Sequence, residues 1–452
     1  MLITERRSGR RGGVLPDLVA VAGAAMLVAV AALLGWRLIG AGVDIDLGFP
    51  PLLARWLPHV GPGTPVAVAV AGLVATNGPG LAARLRWRTL LWAAYPTAVL
   101  WTLALAMVDG WQRGVAGRLA TRDEYLHDVP LVGDVPLMLR TFSDHILTTA
   151  VDPGQSWFWT THVGAHPPLA FLLFVWLDRV GLGGGGPAGV SVILVGASAC
   201  VAVAVTLRSL GAEQVARRSL PFGVLLPGAV WVGVSADGLF AGVLAWSVAL
   251  VAVGCAGRGL RSGVAAVAGG ALYGCCLYLS YGLALGVLLP LAVLVGTGAG
   301  RAAVLAASGL AVVVLAFTAS GFWWFTGYAD VKVIYAASIA ASRPYLYFGL
   351  ADIAAVLFAA GPALVAGIRR AVAAPGAVPR PAALLAGAAV AAILLADLSG
   401  MSKGEVERIW LPFVVWLVPL AALLGRPAAP RAWLLGQAVL ALAVNHLLLT
   451  VW

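Results

Sequence analysis

The sequence predicts an all-α protein in which a bundle of membrane-spanning helices forms one domain over residues 1–452. The chain is 61% hydrophobic and only 11% charged, and its mean hydropathy is +0.95. Soluble domains carry roughly 25% charged residues. Here the charged residues cluster between apolar runs of roughly 20 residues, the length that crosses a bilayer core. The 56 glycines also suit close helix packing in lipid.

Thirteen apolar runs are candidate membrane spans, and polar segments separate most of them. The runs lie at about 17–40, 64–80, 89–109, 187–206, 221–236, 238–255, 263–280, 281–298, 303–320, 348–367, 382–398, 409–424 and 432–451. The first run follows basic residues, as in a signal peptide, but it is too long and lacks a clean cleavage site. We therefore predict about 13 spans.

The distribution of basic residues predicts the orientation, because loops rich in Lys and Arg stay in the cytoplasm. Eighteen of the 29 basic residues lie in the N-terminus and in alternate loops, where the acids are Glu5, Asp17 and Glu213. These basic residues are Arg6, Arg7, Arg10, Arg11, Arg84, Arg86, Arg88, Arg208, Arg217, Arg218, Arg258, Arg261, Arg301, Arg369, Arg370, Arg380, Arg426 and Arg431. The prediction is a multi-pass protein of the cell membrane with a cytoplasmic N-terminus and an outer C-terminus.

The apolar run that follows His166 is an exception to this pattern. It is nearly long enough to span, but a crossing there would move Arg217 and Arg218 outside, against the positive-inside rule. We predict a partly inserted or interfacial helix instead, ended by the glycines at 183–186.

The longest hydrophilic stretch, at about 110–165, falls on the predicted outer face, where we expect interfacial helices. Together with the histidine that follows it, this loop carries six acids and four of the six histidines. These are Asp123, Glu124, Asp128, Asp134, Asp144, Asp152, His127, His145, His162 and His166. Transporters usually place ionisable residues within their spans. The pattern therefore favours chemistry or binding at the outer membrane surface.

Several other functional classes are disfavoured by the sequence. The four cysteines fall in apolar runs, so neither a disulfide framework nor a zinc knuckle is expected. The chain has no P-loop and no dinucleotide fingerprint. The net charge of +10 follows the loop pattern described above, so we expect no nucleic-acid partner.

Four short motifs occur in order along the predicted outer segments. They are Asp123-Glu124-Tyr125, His166-Pro167-Pro168-Leu169, Arg343-Pro344-Tyr345-Leu346-Tyr347 and Arg408-Ile409-Trp410-Leu411-Pro412. In type and order they resemble motifs of the GT-C superfamily of glycosyltransferases, especially the aminoarabinose transferases and protein mannosyltransferases. These multi-span enzymes take a sugar from a polyprenyl-phosphate carrier on the outer or lumenal face.

The resemblance implies a GT-C-like bundle that transfers a sugar, with inversion, from a polyprenyl-phosphate donor to a cell-envelope acceptor. The partners that it implies are the polyprenyl-phosphate sugar donor, a lipid or glycan acceptor, and the membrane. The sequence departs from the family pattern, because two spans precede the span that leads into the Asp-Glu loop. The sequence therefore does not specify the sugar.

The chemistry of such a transfer assigns roles to the charged residues. A carboxylate takes the proton of the acceptor hydroxyl as the new bond forms, which is the predicted role of Asp123 or Glu124. Cations neutralise the charge that develops on the leaving phosphate. The candidate cations on the outer face are Lys332, Arg343, Lys403 and Arg408.

Other residues are candidates for substrate binding. Tyr125, His166 and Tyr345 belong to the motifs, and Asp237 lies at an outer span junction where the superfamily often has a second acid. We assign no metal ligands and no cofactor, and a divalent cation remains open. The activated donor would itself supply the energy for the transfer.

Each residue also has a structural interpretation. Asp123, Glu124 and Asp237 are suitable helix caps, and Arg408 is a suitable anchor at the membrane surface. A lipid-linked-sugar flippase or other transporter, or a non-enzymatic envelope assembly protein, would share the same composition. Convergence of Asp123, Glu124, Asp237 and Arg408 in one cavity would favour the enzyme, and scatter would favour the others.

Overall fold

The chain folds into a helical bundle with one small two-stranded sheet. The computed structural model describes residues 13–425 and 429–451, so the arginines at 6–11 and 426 lie outside the described residues. The helices of ten or more residues are α1 Val14–Gly40, α2 Thr64–Arg84, α3 Trp87–Ala106, α4 Pro168–Arg179, α5 Gly185–Ala197, α6 Ala199–Ser209, α7 Glu213–Val224, α8 Ala236–Cys255, α9 Leu260–Leu279, α10 Leu288–Thr297, α11 Gly300–Ala319, α12 Trp324–Ala337, α13 Tyr345–Ala360, α14 Pro362–Ala373, α15 Arg380–Ser399 and α16 Ala429–Leu447.

Eight helices in the described part of the chain are long and apolar enough to cross a membrane. They are α1, α2, α3, α5 with α6, α8, α9, α11 and α15. A ninth candidate is the pair α13 and α14, which bends by 108° between Ala360 and Pro362. The predicted runs 281–298 and 409–424 correspond to the shorter apolar helices Tyr281–Thr297 and Leu411–Leu423. The membrane-type helical bundle is thus confirmed, whereas the count of 13 spans is not.

Small residues set the distance between neighbouring helices. A Cβ atom at Gly270 of α9 would lie 1.8 Å from the carbonyl oxygen of Ala306 on α11. A Cβ atom at Gly309 of α11 would lie 2.0 Å from the carbonyl oxygen of Val267. Side chains at these positions would force the two backbones apart, so the glycines permit the close approach.

Segments that carry 11 of the 22 described arginines gather at one end of the bundle, which we call the basic end (82–88, 208–218, 258–261, 369–382 and 419–425). Arg217 Nη1 donates to the carbonyl oxygens of Ala82 and Leu85, both at 2.9 Å. The buried Asp17 carboxylate accepts from Arg369 Nη1 at 3.0 Å and from Arg370 Nη2 at 2.7 Å. These contacts join loops that are far apart in sequence.

The opposite end, which we call the site end, carries the 110–165 loop, the start of α8 and the segment 400–410. Helix α15 connects the two ends, because it begins at Arg380 and ends at Ser399. The loop contains seven short helical segments of seven residues or fewer, and buried aromatic side chains such as Phe142 and Trp159 hold it together. Trp159 Nε1 donates to the carbonyl oxygen of Phe142 at 3.0 Å.

Helix α4 begins and ends at the site end. It starts after His166, and Arg179 in its last turn donates to the carbonyl oxygens of Val132 and Gly133 at 3.0 and 2.8 Å. Twelve residues extend about 18 Å, which is too short for a bilayer core of about 30 Å. Helix α4 therefore does not cross the bundle, as the sequence analysis predicted for this segment.

The two strands connect the C-terminal residues to the rest of the site end. Strand β1, Ala54–Trp56, pairs antiparallel with strand β2, Leu448–Thr450. The buried Arg118 donates to the carbonyl oxygen of Thr450 at 2.6 Å and to Asp109 Oδ2 at 2.7 Å. The beginning of the 110–165 loop is therefore fixed to the C-terminal strand.

Candidate functional site

Arg408 stands at the centre of a buried polar cluster at the site end. Its side chain comes from the short helix Val406–Ile409, and it is only 6% exposed. Nη1 donates to Asp237 Oδ2 at 2.5 Å, and Nη2 donates to Glu405 Oε2 at 2.5 Å. Burial lowers the pKa of Arg408, but the charges of Asp237 and Glu405 outweigh that effect and raise it. The guanidinium is therefore a permanent cation held between two carboxylates.

The partners of Arg408 come from three separate parts of the chain. Asp237 lies in the first turn of α8, and Glu405 precedes the helix that carries Arg408. His162 lies in the short helix Thr161–Gly164 near the end of the 110–165 loop. Arg408 Nη2 lies 3.3 Å from His162 Nε2. The cluster thus closes the large loop onto two helix ends.

The hydrogen bonds of His162 define its tautomer. A guanidinium group has only donors, so His162 Nε2 accepts from Arg408 and carries no proton. Nδ1 carries the proton and donates to the carbonyl oxygen of Asp123 at 2.8 Å. Burial, with help from the positive charge of Arg408, lowers the pKa of His162 to about 4. His162 is therefore neutral near pH 7.

Glu124 is the buried carboxylic acid beside this histidine. It is 3% exposed, and its Oε1 lies 3.6 Å from His162 Nδ1. Its other oxygen, Oε2, is buried without a hydrogen-bond partner within the described part of the chain. Burial raises the pKa of Glu124 to about 8, and the negative charge of Asp237 adds to the rise, whereas Arg408 opposes it. A carboxyl group with a pKa in this range can exchange a proton near neutral pH.

Aromatic rings pack around the two histidines beside Glu124. Tyr125 is 1% exposed, and its ring centroid lies 6.1 Å from that of His162 and 5.9 Å from that of His166. His166 Nδ1 donates to the carbonyl oxygen of His162 at 2.9 Å, because that oxygen can only accept. The ring of His166 packs 5.7 Å from Phe240 of α8. Both predicted binding residues of the loop, Tyr125 and His166, thus contact the cluster.

The side chain of Asp123 lies outside the cluster, although the residue precedes Glu124 directly. The Asp123 side chain is 59% exposed and lies 3.7 Å from Arg122 Nε. Its backbone carbonyl oxygen accepts from the backbone nitrogen of His162 at 3.0 Å as well as from His162 Nδ1. The sequence left the base open between Asp123 and Glu124, and the buried position favours Glu124.

A small, mainly apolar cavity adjoins Asp237, and no residue of the 110–165 loop lines it. The hydroxyl-bearing residues Ser280 and Ser402 line it, together with the rings of Phe240 and Trp410. The indole nitrogen of Trp410 is buried and has no partner among residues 13–425 and 429–451. The cluster therefore continues into a space whose walls offer both donors and apolar surface.

Arg343 and Lys403 form a second group that organises the backbone. Arg343 Nε donates to the carbonyl oxygen of Ile45 at 3.1 Å, and its Nη1 donates to the carbonyl oxygen of Lys403. Lys403 Nζ donates to the carbonyl oxygens of Ala340 and Arg343 at 2.9 and 3.1 Å. Most of these donors are engaged with main-chain oxygens, and Arg343 Nη2 also lies 3.5 Å from Asp46 Oδ2. In this arrangement the two side chains support the segment 400–408 and do not face Glu124.

Two other predicted residues lie at the surface. Lys332 of α12 is exposed, and its ammonium group lies 5.1 Å from the ring centroid of Tyr328. Tyr345 is 43% exposed and donates to the carbonyl oxygen of Leu398 at 3.2 Å. Among the contacts described for the resolved ranges, neither residue touches the Arg408 cluster.

Glu405 and His162 are members of the cluster that the sequence analysis did not choose as site residues. Glu405 and Arg408 are three residues apart, which is a spacing for ion pairs on one helix face, so the sequence carried a signal. Glu405 also has a positive φ of 62°, which is uncommon for a residue other than glycine. Such strained residues concentrate at functional sites. For His162 the sequence carried no comparable signal.

The residues described do not include a group of three or more His, Cys, Asp or Glu side chains arranged to hold a metal ion. Comparisons of the chain with protein-family models, with curated proteins and with solved structures gave no match.

Proposed function

We propose that the protein is a membrane glycosyltransferase that moves a sugar from a polyprenyl-phosphate donor to a cell-envelope acceptor at the site end. The observation that carries the proposal is the convergence of Glu124, Asp237 and Arg408 around His162. Three of the four motifs contribute to this cluster. They supply Glu124, Arg408 and His166, and His166 donates a hydrogen bond to the carbonyl oxygen of His162. A scattered arrangement would have favoured a transporter or an assembly protein.

Glu124 is the proposed general base. Its raised pKa makes its carboxylate a stronger base than an exposed glutamate, and a pKa near the working pH suits proton transfer. The proton of the acceptor hydroxyl would move to Glu124 as the oxygen attacks the anomeric carbon. The bond from that carbon to the phosphate oxygen breaks in the same displacement, which inverts the sugar.

Arg408 is the proposed partner of the leaving phosphate. Its planar fork of donors matches a phosphate group, and in the structure two carboxylates occupy it. Of these two, Glu405 is the more exposed, at 19% of its side chain against 6% for Asp237. A phosphate would therefore replace Glu405 at Nη2 and leave the Asp237 pair in place.

The proposed orientation places the site end outside and the basic end in the cytoplasm, because cytoplasmic loops carry the excess of Lys and Arg. Single cysteines at positions 125–160 and 400–406 should then react with an impermeant maleimide added from outside. Cysteines at 212–218 and 372–378 should react only after the membrane is opened. Labelling of 212–218 from outside would contradict this orientation.

The proposed activity is tested by lipid and glycan extraction from cells that lack the protein. We expect one envelope glycan or glycolipid to lose a sugar, and the polyprenyl-phosphate sugar to accumulate on the outer face. Complementation with the Glu124→Gln variant should fail although the variant is present at normal levels. If the protein were a flippase, cells that lack it would instead accumulate the lipid-linked sugar on the cytoplasmic face. That result would overturn the proposal.

A further inference from the structure

A cavity of about 550 Å³ lies on the side of the bundle, between α3, the junction of α5 and α6, and Trp246 of α8. We call it the lateral groove. Helix α3 supplies Arg88, Leu91, Trp92 and Tyr95, which lie on one face of the helix because they are spaced three or four residues apart. None of these residues belongs to the Arg408 cluster. The volume is in the range of pockets that hold small molecules.

A break in one candidate span forms the second wall of the groove. The span Gly185–Ser209 consists of two helices that meet at Ser198. The Ser198 hydroxyl donates to the carbonyl oxygen of Val195 at 2.6 Å and accepts from Trp246 Nε1 at 2.8 Å. Tyr95 donates its hydroxyl proton to the carbonyl oxygen of Leu194 at 3.2 Å. The polar groups of the wall are thus paired with one another, and the surface left for a ligand is hydrocarbon and aromatic.

The groove opens sideways, toward the space that lipid would fill. Trp92 is 77% exposed and Leu194 is 41% exposed, and they stand on opposite walls. Both belong to helices that are long and apolar enough to span a membrane. The groove is therefore accessible from the bilayer.

Arg88 stands at the basic end of the groove. It lies one residue after the start of α3 and is exposed, and its side chain makes no hydrogen bond or ion pair with the other residues described. Two neighbouring arginines are already paired, because Arg208 and Arg217 both contact Glu213, at 3.0 and 2.8 Å. Arg88 therefore offers an unpaired cation at the depth where lipid headgroups lie.

We propose that the lateral groove binds one anionic glycerophospholipid from the membrane leaflet at the basic end. An acyl chain would lie along Leu91, Trp92 and Val201, and the phosphate would contact Arg88. Basic pockets between membrane helices on the cytoplasmic side are a recognised way to bind acidic lipid headgroups. The proposal does not depend on the transferase activity.

Native mass spectrometry of the full-length protein, exchanged into micelles that contain phosphatidylglycerol or phosphatidylcholine, tests the proposal. We expect one phosphatidylglycerol to be retained, with a preference over phosphatidylcholine of roughly fivefold, as one arginine near a membrane surface supplies. Arg88→Gln should remove the preference. Arg86→Gln is the matched control, because it removes the same charge from an exposed residue of the same segment that does not line the groove.

A variant that fills the groove distinguishes lipid binding in the groove from non-specific attraction of anionic lipids to the basic surface of the protein. Leu194→Trp adds volume at an exposed position of the wall and should lower retention of both lipids without lowering the melting temperature. An equal loss of preference in Arg86→Gln and Arg88→Gln would overturn the proposal. Unchanged retention in Leu194→Trp would overturn it as well, because the lipid would then lie elsewhere.

Discussion

Glu124→Gln should lower the rate of sugar transfer about 10²–10⁴-fold, the usual cost of removing a general base. Glutamine keeps the size of the side chain and loses only the ability to accept a proton. Asp123→Asn should leave the rate nearly unchanged, because the Asp123 side chain is exposed and only its carbonyl oxygen contacts the cluster. Initial rates of the two purified variants, at equal donor occupancy, measure the difference.

The two substitutions control for each other, since the residues are adjacent and both changes remove one carboxylate. Normal donor binding by Glu124→Gln would show that the loss lies in the chemical step. An active Glu124→Gln together with an inactive Asp123→Asn would contradict the assignment of the base. Activity in both variants would remove the Asp-Glu motif from the mechanism.

The pH dependence gives a separate test of Glu124. Burial raises its pKa to about 8, so the carboxyl group is mostly protonated at pH 7 and loses its proton as the pH rises through about 8. The carboxylate is the active form of a base, so kcat/KM should rise over this interval and then level off. This rise should be absent from the residual activity of Glu124→Gln. A rate that falls over the same interval would indicate a general acid instead.

The motifs singled out Glu124 and Arg408, and the position at a span junction singled out Asp237. In the structure these three side chains meet around His162, whereas the side chain of Asp123 lies outside the cluster. What the sequence could not predict is where the charged atoms point. Arg343 and Lys403 are cations of the same predicted outer face as Arg408, yet most of their donors end on backbone carbonyl oxygens away from the cluster. Whether a cation faces a carbonyl or a carboxylate depends on tertiary packing, which motifs do not encode.

The count of spans shows a similar limit of sequence patterns. The apolar run at 221–236 is not one helix, because α7 ends at Val224 and the next helical segment is only Ala229–Val232. Pro227 lies between them, and proline cannot donate the backbone hydrogen bond that a continuous helix needs. A buried broken segment is as apolar as a lipid-facing helix, so hydropathy counts both. For helix α4, hydropathy alone suggested a membrane span, whereas the distribution of basic residues predicted that the segment does not cross. The structure agrees with the prediction from the basic residues.

The second large effect concerns Arg408, and its prediction must separate catalysis from stability. Removing a buried cation leaves Asp237 buried without its partner, which typically costs 3–5 kcal/mol of stability. Arg408→Ala can therefore lose activity merely because the protein unfolds. The double variant Arg408→Ala with Asp237→Asn removes the more buried of the two carboxylates that lose their partner, and it should regain much of the melting temperature in detergent.

We expect the stabilised double variant to remain at least about 10²–10³-fold less active than the native protein, because the donor that we propose for the leaving phosphate is still absent. Asp237→Asn alone is its control, since that variant keeps the guanidinium and should retain far more activity. Arg408→Lys distinguishes a phosphate-binding fork from a membrane anchor. Lysine would snorkel to the membrane surface equally well, but it offers a point charge in place of paired donors. Donor affinity and turnover should therefore both fall in Arg408→Lys, and native turnover with native donor affinity in that variant would contradict the phosphate assignment.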